Sequence, residues 1–228
     1  MIMVKVACCW DDGVVNDIRL ISLLRKYKAK ATFNLCPGIM PEHTETSRWI
    51  GPDEVRWSHK GFVNGHVGLK EMKEIYEDFQ VASHGWTHKG GNNPPDIFIK
   101  DAVDAKKYLE DLFQRECPGY AWPCGQYTPE TAKLLKDAGF LYARTVEYTD
   151  NVGKTDTPMR LNSTCHFQDG SFLSKFLKVK ENGGIFYFWG HSYEMLDCEG
   201  LWRQLENKLD FLSSDPEVEW IDVIDIVR

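Results

Sequence analysis

The sequence predicts an α/β fold of parallel strands joined by crossover helices. Three observations carry this. Short apolar runs alternate along the whole chain with stretches of helical spacing. The residue types able to do chemistry fall just after the strand-like runs, at Asp11-Asp12, His84 and His88, Trp122-Pro123-Cys124-Gly125, Arg144 and His191. No repeat, low-complexity tract or linker divides the sequence, so residues 1–228 read as one domain. This alternation fits a β/α barrel or an open doubly wound sheet.

Residues 4–10 form the first apolar run, and Asp11-Asp12-Gly13 closes it with turn chemistry. A helix over 17–27 follows, with Ile18, Ile21 and Leu24 on one side and Asn16 or Asp17 as N-cap. The second strand is 31–36, stopped by Pro37. A short helix at 69–76 leads to the third strand, 79–83. The long helix at 96–115 starts after Pro94-Pro95, and the fourth strand is 120–123. Helix 129–138 ends at Gly139 and the fifth strand is 140–145. Helix 172–180, a sixth strand at 184–189, a helix at 201–212 and a last strand at 217–221 complete the chain. Between them, about 37–68 is a long insertion loop without clear periodicity. It holds His43, His59, His66, Trp49 and Trp57. Loops of this length are often functional, and a purely covering role stays open.

Composition narrows the function. Hydrophobic residues make up 43% and charged residues 27%, a globular balance that excludes wholesale disorder. A net charge of −7 argues against a nucleic-acid partner. No apolar run approaches the roughly 18–20 residues that span a bilayer, the longest being about 185–189. The first residues lack a secretory signal pattern, so a cytoplasmic location is expected. The seven cysteines are odd in number and form no CxxC pair, as reduced thiols would.

In a barrel, the strand ends that carry the polar residues share one rim, where active sites are built. His84 and His88 stand four apart, a spacing that lets two imidazoles reach one metal from a single helical turn. The position after His84 is Gly85, so the pair brings no general base with it. Asp11 and Asp12 can supply a ligand and a base, although Asp-Asp-Gly is by itself good turn chemistry. Two imidazoles and one carboxylate make a catalytic zinc set with an open position. They also make the iron facial triad of oxygenases, but the second carboxylate argues for hydrolysis. Strand alternation puts Lys5, Ala7, Cys9 and Asp11 on one face and Val4, Val6, Cys8 and Trp10 on the other. The smaller set suits a crowded barrel interior, so Asp11 points to the centre of the rim. His191, beside Gly190, suits a general acid.

These residues, in this order, resemble the polysaccharide deacetylases of carbohydrate esterase family four. Cys9-Trp10-Asp11-Asp12-Gly13, His84-Gly-Trp-Thr-His88, Trp122-Pro123-Cys124-Gly125 and Gly190-His191 carry the resemblance, with Lys30-Ala-Thr-Phe33 on the second strand. It spans the chain from the first strand to the sixth. The resemblance implies a distorted (β/α)7 barrel with parallel strands and a divalent metal, usually zinc. The implied activity removes an N- or O-acetyl group from a sugar or related small amide. Asp12, His84 and His88 would bind the metal, Asp11 would be the general base and His191 the general acid. A backbone N–H of Cys124 or Gly125 would meet the oxyanion, and Trp86 and Trp122 would offer aromatic faces to an oligosaccharide or small-molecule substrate. Self-association is left open.

Two departures from the family stand out. Its third motif opens with an Arg that pairs with the base, and here that position is Ala121. Arg144, ending the next strand, is the candidate replacement, and a guanidinium there would contact Asp11. The family's fourth motif, which holds the catalytic His, is not evident around 142–150. Asp150 or Asp169 could orient His191, and His166 is a further imidazole without a role. A non-catalytic carbohydrate-binding protein on the same fold, and a hydrolase of other linear or cyclic amides, are the alternative readings.

Overall fold

The computed structural model describes residues 3–154 and 157–228. Strand β1 (Val4–Asp11) is its axis. In parallel register it pairs on one side with β10 (Ile185–Gly190) and on the other, at its carboxyl end, with β2 (Thr32–Leu35). Strands β5 (Gln80–Ser83), β6 (Gly119–Ala121) and β7 (Tyr142–Tyr148) follow β2 in parallel. The helices α1 (Asn16–Lys26), α2 (Met72–Tyr76), α3 (Pro95–Phe113), α4 (Pro129–Asp137), α5 (Phe172–Asn182) and α6 (Glu199–Ser213) alternate with the strands along the chain.

A segment without an apolar run bridges the sheet edges. Strand β8 (Leu161–Ser163) pairs with β7, and one residue later β9 (Cys165–His166) pairs with β10. Between them the Thr164 N–H donates to Tyr187 O at 2.7 Å, and the Thr164 hydroxyl accepts from Tyr187 N at 3.1 Å. The segment 161–166 is therefore the seventh stave of a distorted (β/α)7 barrel. The last strand expected from the sequence takes another place. It becomes β11 (Val218–Trp220), paired with Val4–Val6 at the amino-terminal end of β1. Beyond it, Val223 and Ile224 are buried among Ala7, Cys9, Tyr142, Leu161 and Tyr187, so the C-terminal segment plugs the barrel floor.

The two faces of β1 separate as the alternation predicts. Val4, Val6, Cys8 and Trp10 pack with Leu20 and Leu24 of α1 and Leu205 and Leu209 of α6. Ala7 and Cys9 face inward, where Cys9 Sγ lies 3.0 Å from the Tyr187 hydroxyl. The expected cap of α1 is different. Val15 precedes the helix without a side-chain cap. Asp17 is fully buried and accepts instead from the Tyr76 hydroxyl at 2.7 Å and the Ser192 hydroxyl at 2.5 Å. Helix α4 starts as its sequence suggests, with Pro129 in the first turn and a Thr128–Thr131 capping box.

The long segment after β2 holds a small antiparallel pair, β3 (Arg48–Trp49) and β4 (Phe62–Val63). Backbone bonds from Val67 N to Gly13 O (3.0 Å) and from Val15 N to Gly65 O (2.9 Å) fasten it to the turn after β1. That turn follows the carboxyl end of β1, so the segment lies over the same rim as Asp11 and Asp12.

Ile224→Ala should open a cavity in the floor and cost about 2–5 kcal/mol. The urea midpoint should fall accordingly, and an unchanged midpoint would show that the plug is not part of the core.

Candidate functional site

Asp11 is the last residue of β1, and the chain reverses at once. Asp12 has φ +80° and Gly13 φ +70°. At φ +70° Gly13 sits in the left-handed region that favours glycine, and a side chain there would also displace the end of Met40. The reversal leaves Asp11 buried and turns the half-exposed Asp12 carboxylate to the rim.

The loop after β5 is not the helical turn that the His spacing suggested. Gly85 (φ +81°) and His88 (φ +59°) are both left-handed, and buried Asp101 of α3 holds the bend between them. Its carboxylate accepts from Thr87 N at 3.1 Å and from the Thr87 hydroxyl at 2.6 Å. The two imidazoles then meet edge to face, with centroids 4.7 Å apart. His84 Nδ1–H donates to Ala121 O at 2.8 Å, which leaves Nε2 facing the rim. Asp12 Oδ1 lies 3.6 Å from His84 Nε2 and 3.7 Å from His88 Nε2. All three donor atoms fall within 4.8 Å of one another. A tetrahedral ion with bonds of about 2.0–2.2 Å separates its ligands by roughly 3.3–3.6 Å, so this donor set fits a divalent metal. Burial pushes the His84 imidazole down to about 4, against the pull of Asp11, which keeps it in the neutral form a metal needs.

Asp11 is held from both sides. Its Oδ1 accepts from Asn34 Nδ2 at 2.7 Å, and its Oδ2 accepts from Arg144 Nη2. Arg144 is only 1% exposed, and its guanidinium sits 4.4 Å over the Trp189 ring. In register, Arg144 lies beside Ala121, the position that lacks the family's Arg. The cation thus arrives from the neighbouring stave. Burial pushes the Asp11 carboxyl up, but Arg144 first, then His84 and His191, hold it well below the usual carboxylate range.

His191 follows β10. Its Nε2 lies 3.9 Å from both Asp11 Oδ2 and Asp12 Oδ2, and its ring stacks on Tyr193 at 4.9 Å. Its Nδ1 is 3.5 Å from Glu194 Oε1, and Glu194 Oε2 is 2.9 Å from His166 Nε2. Burial disfavours the imidazolium, yet Glu194, Asp12 and Asp11 together raise His191 to about 9. Glu194 itself is kept down at about 2 by His166 and His191, against its own burial. Glu194 therefore stands within ion-pair distance of His191, where Asp150 and Asp169 do not. Those two turn outward and pair with Lys178 (2.8 Å) and Lys175 (2.7 Å). The signal in the sequence was local, a Glu three residues after the His on a 3-10 turn (Ser192–Met195).

A cleft of about 590 Å³ opens over these groups. One wall comes from the long segment, with Arg56, Trp57, Asn64 and His66; the other holds Trp122, Cys124 and Val146. Trp122 is fully buried, stacks on Phe98 at 5.4 Å and donates its indole N–H to Met159 O at 3.0 Å, so it supports the wall. Cys124 (φ +53°) is exposed on the cleft. Gly125 packs behind it against Val146, and its N–H is spent on Trp122 O at 2.9 Å. Trp86 does not line the cleft. The positive φ of Gly85 sends it to Tyr108 of α3, 5.4 Å away. Among the aromatics that line the cleft, Trp57 is the most open, 61% exposed and edge-on to Tyr193 at 5.4 Å.

Carboxylates and imidazoles thus gather at the carboxyl rim of a parallel (β/α)7 barrel, where barrel enzymes build their active sites. A family model for polysaccharide deacetylases matches residues 4–143, and the chain belongs to that family. Solved structures share the fold at low identity. A Mycobacterium smegmatis protein assigned as a polysaccharide deacetylase superposes with TM-score 0.69 at 14% identity, over 99% of this chain and 89% of that one. A family 4 acetyl xylan esterase from Clostridium thermocellum, solved with a cobalt ion, gives 0.59 at 16% identity, over 97% and 89%. A Streptococcus pyogenes deacetylase solved with acetate gives 0.54 at 21% identity, over 68% of this chain, which spans 61% of that protein. No curated protein matches the chain significantly by sequence.

Arg144→Ala should strand the Asp11 charge and destabilise the EDTA-treated protein by about 3–5 kcal/mol at neutral pH. Because the folded carboxyl titrates below its unfolded value of about 3.9, the pair contributes fully above about pH 5 and is lost as pH falls through the folded value. The gap between wild type and variant in urea unfolding should narrow on acidification. A gap independent of pH would rule out the ion pair as its source.

Proposed function

We propose that the protein is a metal-dependent deacetylase that removes an acetyl group from an N- or O-acetylated sugar or a related small amide. One observation carries the reading: the Asp12–His84–His88 donor set converges beside a carboxylate kept ionised by Arg144. The cleft volume of about 590 Å³ falls in the range of small-molecule sites.

Asp12, His84 and His88 would hold the ion, with zinc the expected metal. When bound, a divalent cation polarises an acetyl carbonyl and lowers the pKa of a water. The rest is done by the chain. Asp11, anchored at Oδ1 by Asn34 and at Oδ2 by Arg144, accepts the proton of the attacking water. With the Gly125 N–H occupied, the oxyanion donor is the backbone N–H of Cys124. His191 delivers a proton to the departing nitrogen or oxygen, and a pKa raised to about 9 keeps it in the acid form at neutral pH. Glu194 holds the far side of the ring, backed by His166. A non-catalytic role is favoured by the missing Arg at position 121, and Arg144 beside Asp11 supports the catalytic reading instead.

Chelation should abolish acetate release from acetylated sugars, and zinc or cobalt should restore it. His84→Ala should lose bound metal, read by elemental analysis, together with activity. A variant that keeps both would overturn the metal assignment. Asp11→Asn should lower kcat about 10²–10⁴-fold with metal content retained, and full activity would move the base elsewhere. Glu194→Gln should move the basic limb of the pH–rate profile to lower pH, because His191 loses one of the groups that keep it protonated. An unmoved limb would deny Glu194 this role.

A further inference from the structure

The wall built by the long segment has a chemistry that deacetylation itself does not use. Arg56 lines the cleft, exposed, with no ion pair or side-chain hydrogen bond among the described residues. The nearest carboxylate in sequence, Glu54, is spent on a two-pronged pair with Arg48 at 2.9 and 2.5 Å. The carboxylates lining the cleft are Asp11 and Asp12, the one bound by Arg144 and the other turned to the imidazoles. In a chain of net charge −7, the outer cleft thus carries a guanidinium that is close enough to Glu54 to act on its charge but makes no ion pair among the described residues, and no unpaired carboxylate lines the cleft beside it.

Two neighbours give that guanidinium a context. Trp57 presents an open ring face and is tied through Tyr193 to His191, so this wall leads from the catalytic imidazole outward. Asn64 is 7% exposed, lines the same cleft, and its buried Oδ1 has no hydrogen-bond partner. That oxygen is closed off from the cleft, so the end of the amide left to meet a ligand is Nδ2, a hydrogen-bond donor. A sugar offers a ring face for Trp57 and a hydroxyl for Asn64. An anionic substituent would complete Arg56, whose planar fork matches carboxylate and phosphate oxygens.

We infer that Arg56, Trp57 and Asn64 form a subsite for an acetylated sugar that carries an anionic group, a carboxylate or a phosphate, away from the acetyl group. This rests on the deacetylase reading for its choice of ligand, and the test separates the two.

The full chain, loaded with zinc, is assayed for acetate release from N-acetylglucosamine, its 6-phosphate and the corresponding C6 uronic acid. Wild type should favour an anionic substrate over the neutral one by about 10- to 100-fold in kcat/KM. Arg56→Gln should collapse that ratio, chiefly through KM, Arg56→Glu should invert it, and Arg56→Lys should restore part of it. Added salt should shrink the wild-type preference. A gain for both anions assigns the shared chemistry, and a gain for one assigns its source. Calorimetric binding of glucosamine, its 6-phosphate and its uronic acid runs in parallel, on wild type and Arg56→Gln. If no acetate is released but the anions bind at least about tenfold tighter to wild type alone, the subsite stands and the deacetylase reading falls. Equal affinity or equal kcat/KM for neutral and anionic sugars, or a preference that survives Arg56→Gln, would overturn the subsite.

Discussion

A carboxylate and a guanidinium, both withdrawn from water inside a narrow barrel, set the terms for the rest of the molecule. Asp11 and Arg144 stand on opposite sides of the interior, on β1 and β7, and each is almost wholly buried. Stripping either ion of water costs several kcal/mol, so neither is tolerable without the other. The pair fixes how far the two staves can separate. It also explains the neighbours: Asn34 takes the second carboxylate oxygen, Trp189 lies under the guanidinium, and Ala121 stands beside Arg144 in register. The other buried groups at the rim are arranged around that fixed charge.

The barrel wall and its floor are closed by segments of unlike character. The floor is apolar, and the C-terminal Val223 and Ile224 fill it as a stopper would. The closing stave is polar, and Thr164 stitches it to β10 with both its backbone and its hydroxyl. A stave that pairs only two residues with each neighbour, with an irregular register on the β7 side, needs more than ladder pairing for its place. Hydrogen bonds to Tyr187 supply it.

Much of this was legible in the residues. The alternation of β1 placed Asp11 inward, since only small side chains fit between it and the floor. Positions following apolar runs named Asp12, His84, His88 and His191, because strand ends in such a fold share one rim. Arg144 could be reached by arithmetic: a missing cation on one stave points to the next stave's end. What stayed hidden had physical reasons. Segment 161–166, Leu-Asn-Ser-Thr-Cys-His, has no apolar run: single apolar residues, Leu161 and Cys165, enter the core, and Thr164 holds the segment by hydrogen bonds to Tyr187. Trp86 looks like a sugar platform in one dimension, but a left-handed glycine ahead of it turns it to α3. Glu194 carries no strand-end signal, because it follows His191 on a 3-10 turn. The family match ends at residue 143, and Arg144, His166, His191 and Glu194 all lie beyond it.

The position of Glu194 has a consequence for how such a site tolerates change. A carboxylate brought from a distant strand keeps its distance to an imidazole only as well as the barrel keeps its shape. Here both groups ride on one short turn, three residues apart. Twisting or spreading of the staves moves them as a unit, so drift elsewhere in the chain leaves their spacing intact. His191 and Glu194 therefore form a module of a few residues, carried by one turn beyond the segment that the family model matches.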